Sequence, residues 1–259
     1  FSDALRLFGR YSRAQRGAGA LEQGNLQMEW RINENDSLTG ELRHIDQKAS
    51  GVSGSGDLLA VRYGKRIGSS LDLYAIGQVT LDHEGSYADN DALTLGARYI
   101  ARNQSSVDVE LSSGDRGDSA RVDAEYRLSQ QHALYAGYTY STDTTAGDSF
   151  FNTRQASGLT VGQRWRISNQ VNLFNESQFL KERNESGIAH TFGMDFYPTQ
   201  AWNLGFSLQS GELEGAAGTT DRRAVSLHAG RTDKDTQWDS KLEYRRDTGA
   251  EQRTQWVST

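Results

Sequence analysis

The stretch Asp57-Leu58-Leu59-Ala60-Val61-Arg62-Tyr63-Gly64-Lys65-Arg66-Ile67-Gly68-Ser69-Ser70-Leu71-Asp72-Leu73-Tyr74-Ala75-Ile76-Gly77-Gln78-Val79-Thr80-Leu81-Asp82 reads as two long strands joined by a tight turn. In the second arm Leu71, Leu73, Ala75, Gly77, Val79 and Leu81 share one face, and Asp72, Tyr74, Ile76, Gln78 and Thr80 share the other. Strict period-two alternation marks a strand between two different environments. At about 3.3 Å per residue, eleven residues tilted near 45° span roughly 26 Å, the height of the apolar band of a membrane barrel. In the first arm Leu59, Val61 and Tyr63 lie opposite Arg62, Gly64 and Arg66 before Ile67-Gly68-Ser69-Ser70 turns the chain.

Composition supports a chain built this way throughout. Of the 259 residues, 36% are hydrophobic, and the mean hydropathy is −0.71. That is thin for a packed soluble core but sufficient for a hydrated barrel, which needs apolar side chains only on its outer face. No run approaches the roughly 18 to 20 apolar residues of a membrane helix. One proline, at Pro198, and 27 glycines suit long strands with close backbones. With no cysteine, disulfides and thiolate metal sites are excluded. A net charge of −6 leaves no basic footprint for nucleic acid. Phe1-Ser2-Asp3-Ala4 does not open as a signal peptide does, so the numbering is expected to begin in a mature protein or inside a longer one.

Outward from the quoted hairpin, the same alternation recurs. Ala4 to Tyr11 is the least regular strand, because Leu5, Leu7 and Phe8 do not keep one parity, and Arg10 to Gly24 reads as a loop. Leu26, Met28, Trp30 and Ile32 form a strand that Asn33-Glu34-Asn35-Asp36 turns into Leu38, Gly40 and Leu42, and Asp46 to Gly56 reads as a polar connection. Later strands are spelled by Leu93 to Tyr99, Val107 to Leu111, Ala120 to Leu128, Leu134 to Tyr140, Leu159 to Ile167, Ile188 to Phe196, Trp202 to Leu208, Val225 to Ala229 and Trp238 to Tyr244. A loop is expected from Ser141 to Arg154. In Val171 to Leu180, Val171 and Leu173 share a parity with Asn175 while Phe174 and Leu180 share the other, which predicts a bulge near Asn175. The count is about sixteen strands, with short turns alternating with longer Gly- and Asp-rich loops, as in an all-β antiparallel up-and-down meander. Trp30, Tyr63, Tyr99, Tyr126, Trp165, Phe196, Trp202, Trp238 and Tyr244 fall on the outer faces and are expected to form one aromatic girdle.

This pattern resembles the outer-membrane β-barrels of Gram-negative bacteria, porins and large export barrels among them, over nearly the whole chain and at the level of the class. The resemblance implies a single transmembrane barrel over residues 1–259, or a segment of a larger one, set among outer-membrane lipid and lipopolysaccharide. Two features depart from it. Trp256-Val257-Ser258-Thr259 is not the usual closing strand with a terminal aromatic, and no loop is as long as the one general porins fold into the pore.

On the reverse faces the charges of both signs interleave: Glu29, Arg31, Glu41, Arg43, Arg62, Arg98, Asp108, Glu110, Arg121, Asp123, Glu125, Arg127, Arg164, Arg166, Asp239, Lys241, Glu243 and Arg245 are expected to line the lumen. Cross-strand ion pairs stiffening a hydrated wall explain them more simply than a selectivity filter, which calls for a ring of one sign. The histidines His44, His83, His132, His190 and His228 have no metal-ligand spacing, and no cofactor is expected. Asp82-His83-Glu84 invites an acid and His hydrolase reading, but no orienting partner is evident, and a solvated loop is the expectation. The function expected is a channel or export conduit with a hydrated, mixed-charge lumen. The alternatives are a structural barrel that encircles a polymer, plug or surface protein, and a soluble β-repeat adhesin.

Overall fold

The computed structural model describes residues 4–16, 19–49, 52–142, 157–181, 186–215, 218–234, 237–249 and 252–258. They form sixteen strands: β1 (Leu5–Arg16), β2 (Gly19–Arg31), β3 (Asp36–Ala49), β4 (Val52–Ile67), β5 (Leu71–Gly85), β6 (Ala92–Ile100), β7 (Ser106–Gly114), β8 (Gly117–Arg127), β9 (His132–Ser141), β10 (Gly158–Arg166), β11 (Val171–Lys181), β12 (Ser186–Thr199), β13 (Trp202–Gly215), β14 (Gly218–Thr232), β15 (Gln237–Thr248) and β16 (Gln252–Ser258). All lie in one sheet in chain order, an up-and-down meander. The chain divides into two compact units, Phe1–Arg102 with Ser106–Val122 and Tyr140–Gln155, and Asn103–Ser105 with Asp123–Thr139 and Ala156–Thr259.

The sheet is inside-out relative to a soluble protein. Val61 and Tyr63 stand exposed while Arg62 between them is half-buried, and the same inversion repeats on β5, β6, β10 and β13. Large apolar side chains held out along every strand need a lipid to face. No described helix is long and apolar enough to cross a membrane.

Several connections differ from the sequence reading. Most of Arg10 to Gly24 is strand, with Leu5 opposite Trp30 and Arg16 opposite Gly19, and Asp46 to Gly56 is likewise carried into β3 and β4. The outward face there is polar, with Tyr11 donating to Glu22 (3.1 Å) and His44 against Asp57 (2.7 Å), so these strand ends carry no apolar alternation to read. There is no bulge at Asn175: β11 keeps continuous register with β10 and β12 from Val171 onward. Phe174 instead points to the charged face and lies over Gly193, directly opposite, where a Cβ would overlap its ring. Tyr74 over Gly96 and Tyr135 over Gly162 repeat the device, an aromatic ring covering a glycine of the next strand. The register shifts at Asp57/Leu58, where Leu58 pairs with Thr80 and Asp57 with Asp82, and near Phe196/Thr199 beside Pro198. Beyond Thr142 the expected Ser141 to Arg154 loop lies outside the described residues.

Candidate functional site: the inner face and its docked segment

The charged face is built from cross-strand rows. In the first unit the row nearest the short turns runs Arg66, Asp72, Arg98, Asp108 across β4 to β7, alternating in sign, with Arg66 Nε bonded to Asp72 at 2.8 Å. In the next rows Arg31 lies opposite Ser37 and Glu29 opposite Thr39. Tyr74 donates to Glu110 (2.6 Å), and the Arg62 guanidinium stacks 4.3 Å from the Tyr74 ring centroid. Glu41 and Arg43 also face inward, bonded to each other at 2.9 Å, with Asn25 donating to the same Glu41 oxygen. They are 5% and 7% exposed, so this pair is covered by protein. Arg121 shares the inward parity on β8.

In the second unit Asp123, Glu125 and Arg127 share that parity on β8. Glu125 accepts from Arg127 (3.1 Å) and faces Arg164 (3.7 Å); Arg164 stacks on Tyr135 (4.6 Å), which donates to Glu176 (2.8 Å). Arg166 reaches the turn residue Asn169. On β15, Glu243 holds Lys241 (2.8 Å) and Arg245 (2.6 Å) and accepts from Ser226 (3.0 Å), while Asp239 is bound to His228 and Asp247 takes Arg222 through both oxygens. Among the described residues the wall interleaves charges of both signs, many of them paired across or along the strands. The described residues contain no cluster of three or more metal-ligating side chains.

The aromatic residues expected in one girdle fall at two heights. Trp30, Tyr63 and Tyr99 of the first unit, and Tyr126, Trp165, Phe196, Trp202 and Trp238 of the second, face outward toward the short turns, with Trp202 and Trp238 edge to face at 5.7 Å. Tyr244 lies higher, opposite Val225 and packed on Trp256 (4.9 Å).

Sequence reasoning missed the element that shapes the inner face of the first unit. At Gly85, φ is +67° and a Cβ would strike the Ser53 carbonyl, so the chain leaves β5 in a left-handed step that favours glycine. The 86–91 segment then folds onto the inner wall. Tyr87, 3% exposed, joins Ile45, Leu58, Ala60 and Ile76, all of inward parity, in an apolar cluster in which Leu58 is 0% exposed. Gly54 and Gly56 of β4 make room: a Cβ at Gly56 would overlap the Tyr87 ring, and one at Gly54 would lie 2.6 Å from the Tyr87 nitrogen.

Polar bonds fix the rest of the segment. Gln78 donates to the Asn90 carbonyl (2.7 Å), the Asn90 amide to Thr80 Oγ1 (2.7 Å), and the Thr80 amide to Asp91 (2.7 Å). Arg116 lies over the Tyr87 ring at 4.9 Å and donates to the carbonyls of Ala88 (2.7 Å) and Asp89 (3.2 Å). His83 meets Asp89 at 3.0 Å with both exposed, so its partner belongs to this segment and not to Asp82-His83-Glu84 itself. The sequence does carry a signal: a lone aromatic in a polar connection, and two inward glycines on the strand it can reach.

No family model and no curated protein matches the chain. Solved structures do. A bacterial polysaccharide outer membrane secretin is 12% identical at a TM-score of 0.55, with 92% of this chain and 89% of that one covered. OccK1 (OpdK) of Pseudomonas aeruginosa is 7% identical at 0.58 (98% and 94%). A mutant of the Rh. blastica porin is 11% identical at 0.55 (98% and 96%). Taken with the outward apolar face and the sixteen-stranded meander, these likenesses show that the chain has the fold of the bacterial outer-membrane β-barrels, the fold of the channel-type proteins among them.

Proposed function

We propose that the chain is a water-filled outer-membrane channel whose path is narrowed on the inner face of the first unit by the docked 86–91 segment. Sixteen strands is the size at which an outer-membrane barrel leaves an aqueous interior. The observation that carries the reading is Tyr87: a connection that turns inward and is bonded to the wall narrows a lumen without filling it. A barrel that encircles a partner gains nothing from such a ledge. The interleaved charges of both signs suit small hydrophilic solutes with weak preference for charge. The test is swelling of vesicles containing the purified full chain in isotonic sugars of increasing size. Swelling that falls steadily with sugar size supports the channel. A folded, heat-modifiable protein that admits no sugar at all overturns it in favour of a lumen occupied by a protein or polymer partner.

A further inference from the structure

On four neighbouring strands of the second unit the outward face changes from apolar to polar at one height. The row Phe192, Leu208, Val225, Tyr244 is followed, two residues nearer the strand ends at Ser186, Gly215, Gly218 and Thr248, by the row His190, Ser210, Arg223, Arg246. Ser177 of β11 extends the polar row, its hydroxyl 2.8 Å from His190 Nδ1. From Trp202 to Ser210 is eight residues, about 26 Å along the strand and roughly 19 to 22 Å of height at the usual 35–45° tilt, against a band about 25 Å tall. The polar row therefore sits at the rim of the apolar band on the side away from the Pro198 turn, where lipid headgroups lie.

Two arginines directly opposite each other on a sheet repel, and Arg223 and Arg246 are both exposed in that position. Arg223 makes no hydrogen bond or ion pair among the described residues, so it is the open cation of the row, while Arg246 beside it has an interaction partner of its own. The outward row above carries Glu212 and Asp221, so the positive charge is confined to one level. Below it, an open concavity of about 1030 Å³ is lined by both rows and continues over Val161 and Leu134.

We infer that this face holds one anionic lipid, its phosphate between Arg223 and Arg246 with Ser210 and His190 beside it, and its acyl chains in the groove over Phe192, Leu208 and Val225. Guanidinium groups match phosphate oxygens in charge and in the fork of their donors. The acidic row above stops the headgroup at the arginines. The site lies on the lipid face and is independent of conduction.

The experiment is native mass spectrometry of the detergent-purified full chain titrated with dioleoyl phosphatidic acid or dioleoyl phosphatidylcholine. The wild type is expected to retain one phosphatidic acid with at least about tenfold preference, equivalent to about 1.4 kcal/mol. Arg223→Gln with Arg246→Gln is expected to abolish that preference while heat-modifiable migration persists, and Arg222→Gln, one residue away on the opposite face, to keep it. Equal retention of both lipids by the wild type, or an unchanged preference in the double variant, overturns the site. Displacement of the lipid by excess inorganic phosphate also overturns it, since the bound species would then be a free anion.

Discussion

Replacing Tyr87 by alanine is expected to release the 86–91 segment from the inner wall of the first unit. Burial of the ring contributes about 1.5–3 kcal/mol, and the Arg116 contact about 0.5–1 kcal/mol, so Tyr87→Ala withdraws roughly 2–4 kcal/mol from docking. At about 1.4 kcal/mol per decade the docked to undocked ratio falls roughly 30- to 1,000-fold. The bonds that remain, among them those from Gln78, the Asn90 and Thr80 amides, Arg116 and Ser86, bring about 1 kcal/mol net each. They stand against about 1–2 kcal/mol of ordering entropy per residue of the segment. The expected single-channel record is a larger mean conductance with more flicker than the wild type. Gly56→Val gives an independent perturbation, because its side chain occupies the place of the Tyr87 ring and leaves the tyrosine intact. If both variants fold, shown by heat-modifiable migration, and both conduct as steadily and to the same level as wild type, the docked segment does not set the path.

Gly193→Val drives a side chain into the Phe174 ring, an overpacking expected to cost about 1–3 kcal/mol and to lower the temperature at which the migration shift occurs; Gly193→Ala should lower it less. Glu243→Gln leaves Lys241 and Arg245 without their shared carboxylate, so the reversal potential in a salt gradient is expected to move toward anion preference; an unmoved potential would mean that β15 does not face the conducting path. At the rim of the short turns, the Tyr63 hydroxyl, then Asn33 and Lys65, hold the Asp36 carboxyl below its usual range. A depressed folded pKa stabilises above the unfolded value near 3.9 and is lost as pH falls through the folded one; Asp36→Asn should therefore remove part of the loss of stability on acidification, read by unfolding at pH 6 against pH 3.

Where one face met lipid and the other water, the strands were legible: β4 and β5 are spelled by Leu59 to Tyr63 and Leu71 to Leu81. Where the outward face turns polar, as at Tyr11 and Arg13 of β1 opposite Gly24 and Glu22 of β2, alternation disappears although the hydrogen-bonded ladder continues. Phe174 defeated parity because its place depends on Gly193, a residue of another strand. Tyr244 stands farther from the short turns than the other outward aromatics, because face and height are separate properties and alternation reports only the face. The inward charges followed from parity, but the covering of Glu41 and Arg43 and the docking of Tyr87 are tertiary packing. A single strand's pattern carries neither.

The most direct test of the channel is a planar-bilayer recording of the purified full chain, with a salt gradient across the membrane. Stable, stepwise conductance with a small reversal potential is expected from a hydrated lumen whose charges are of both signs and interleaved. Silence from a protein that is β-rich and heat-modifiable would contradict it.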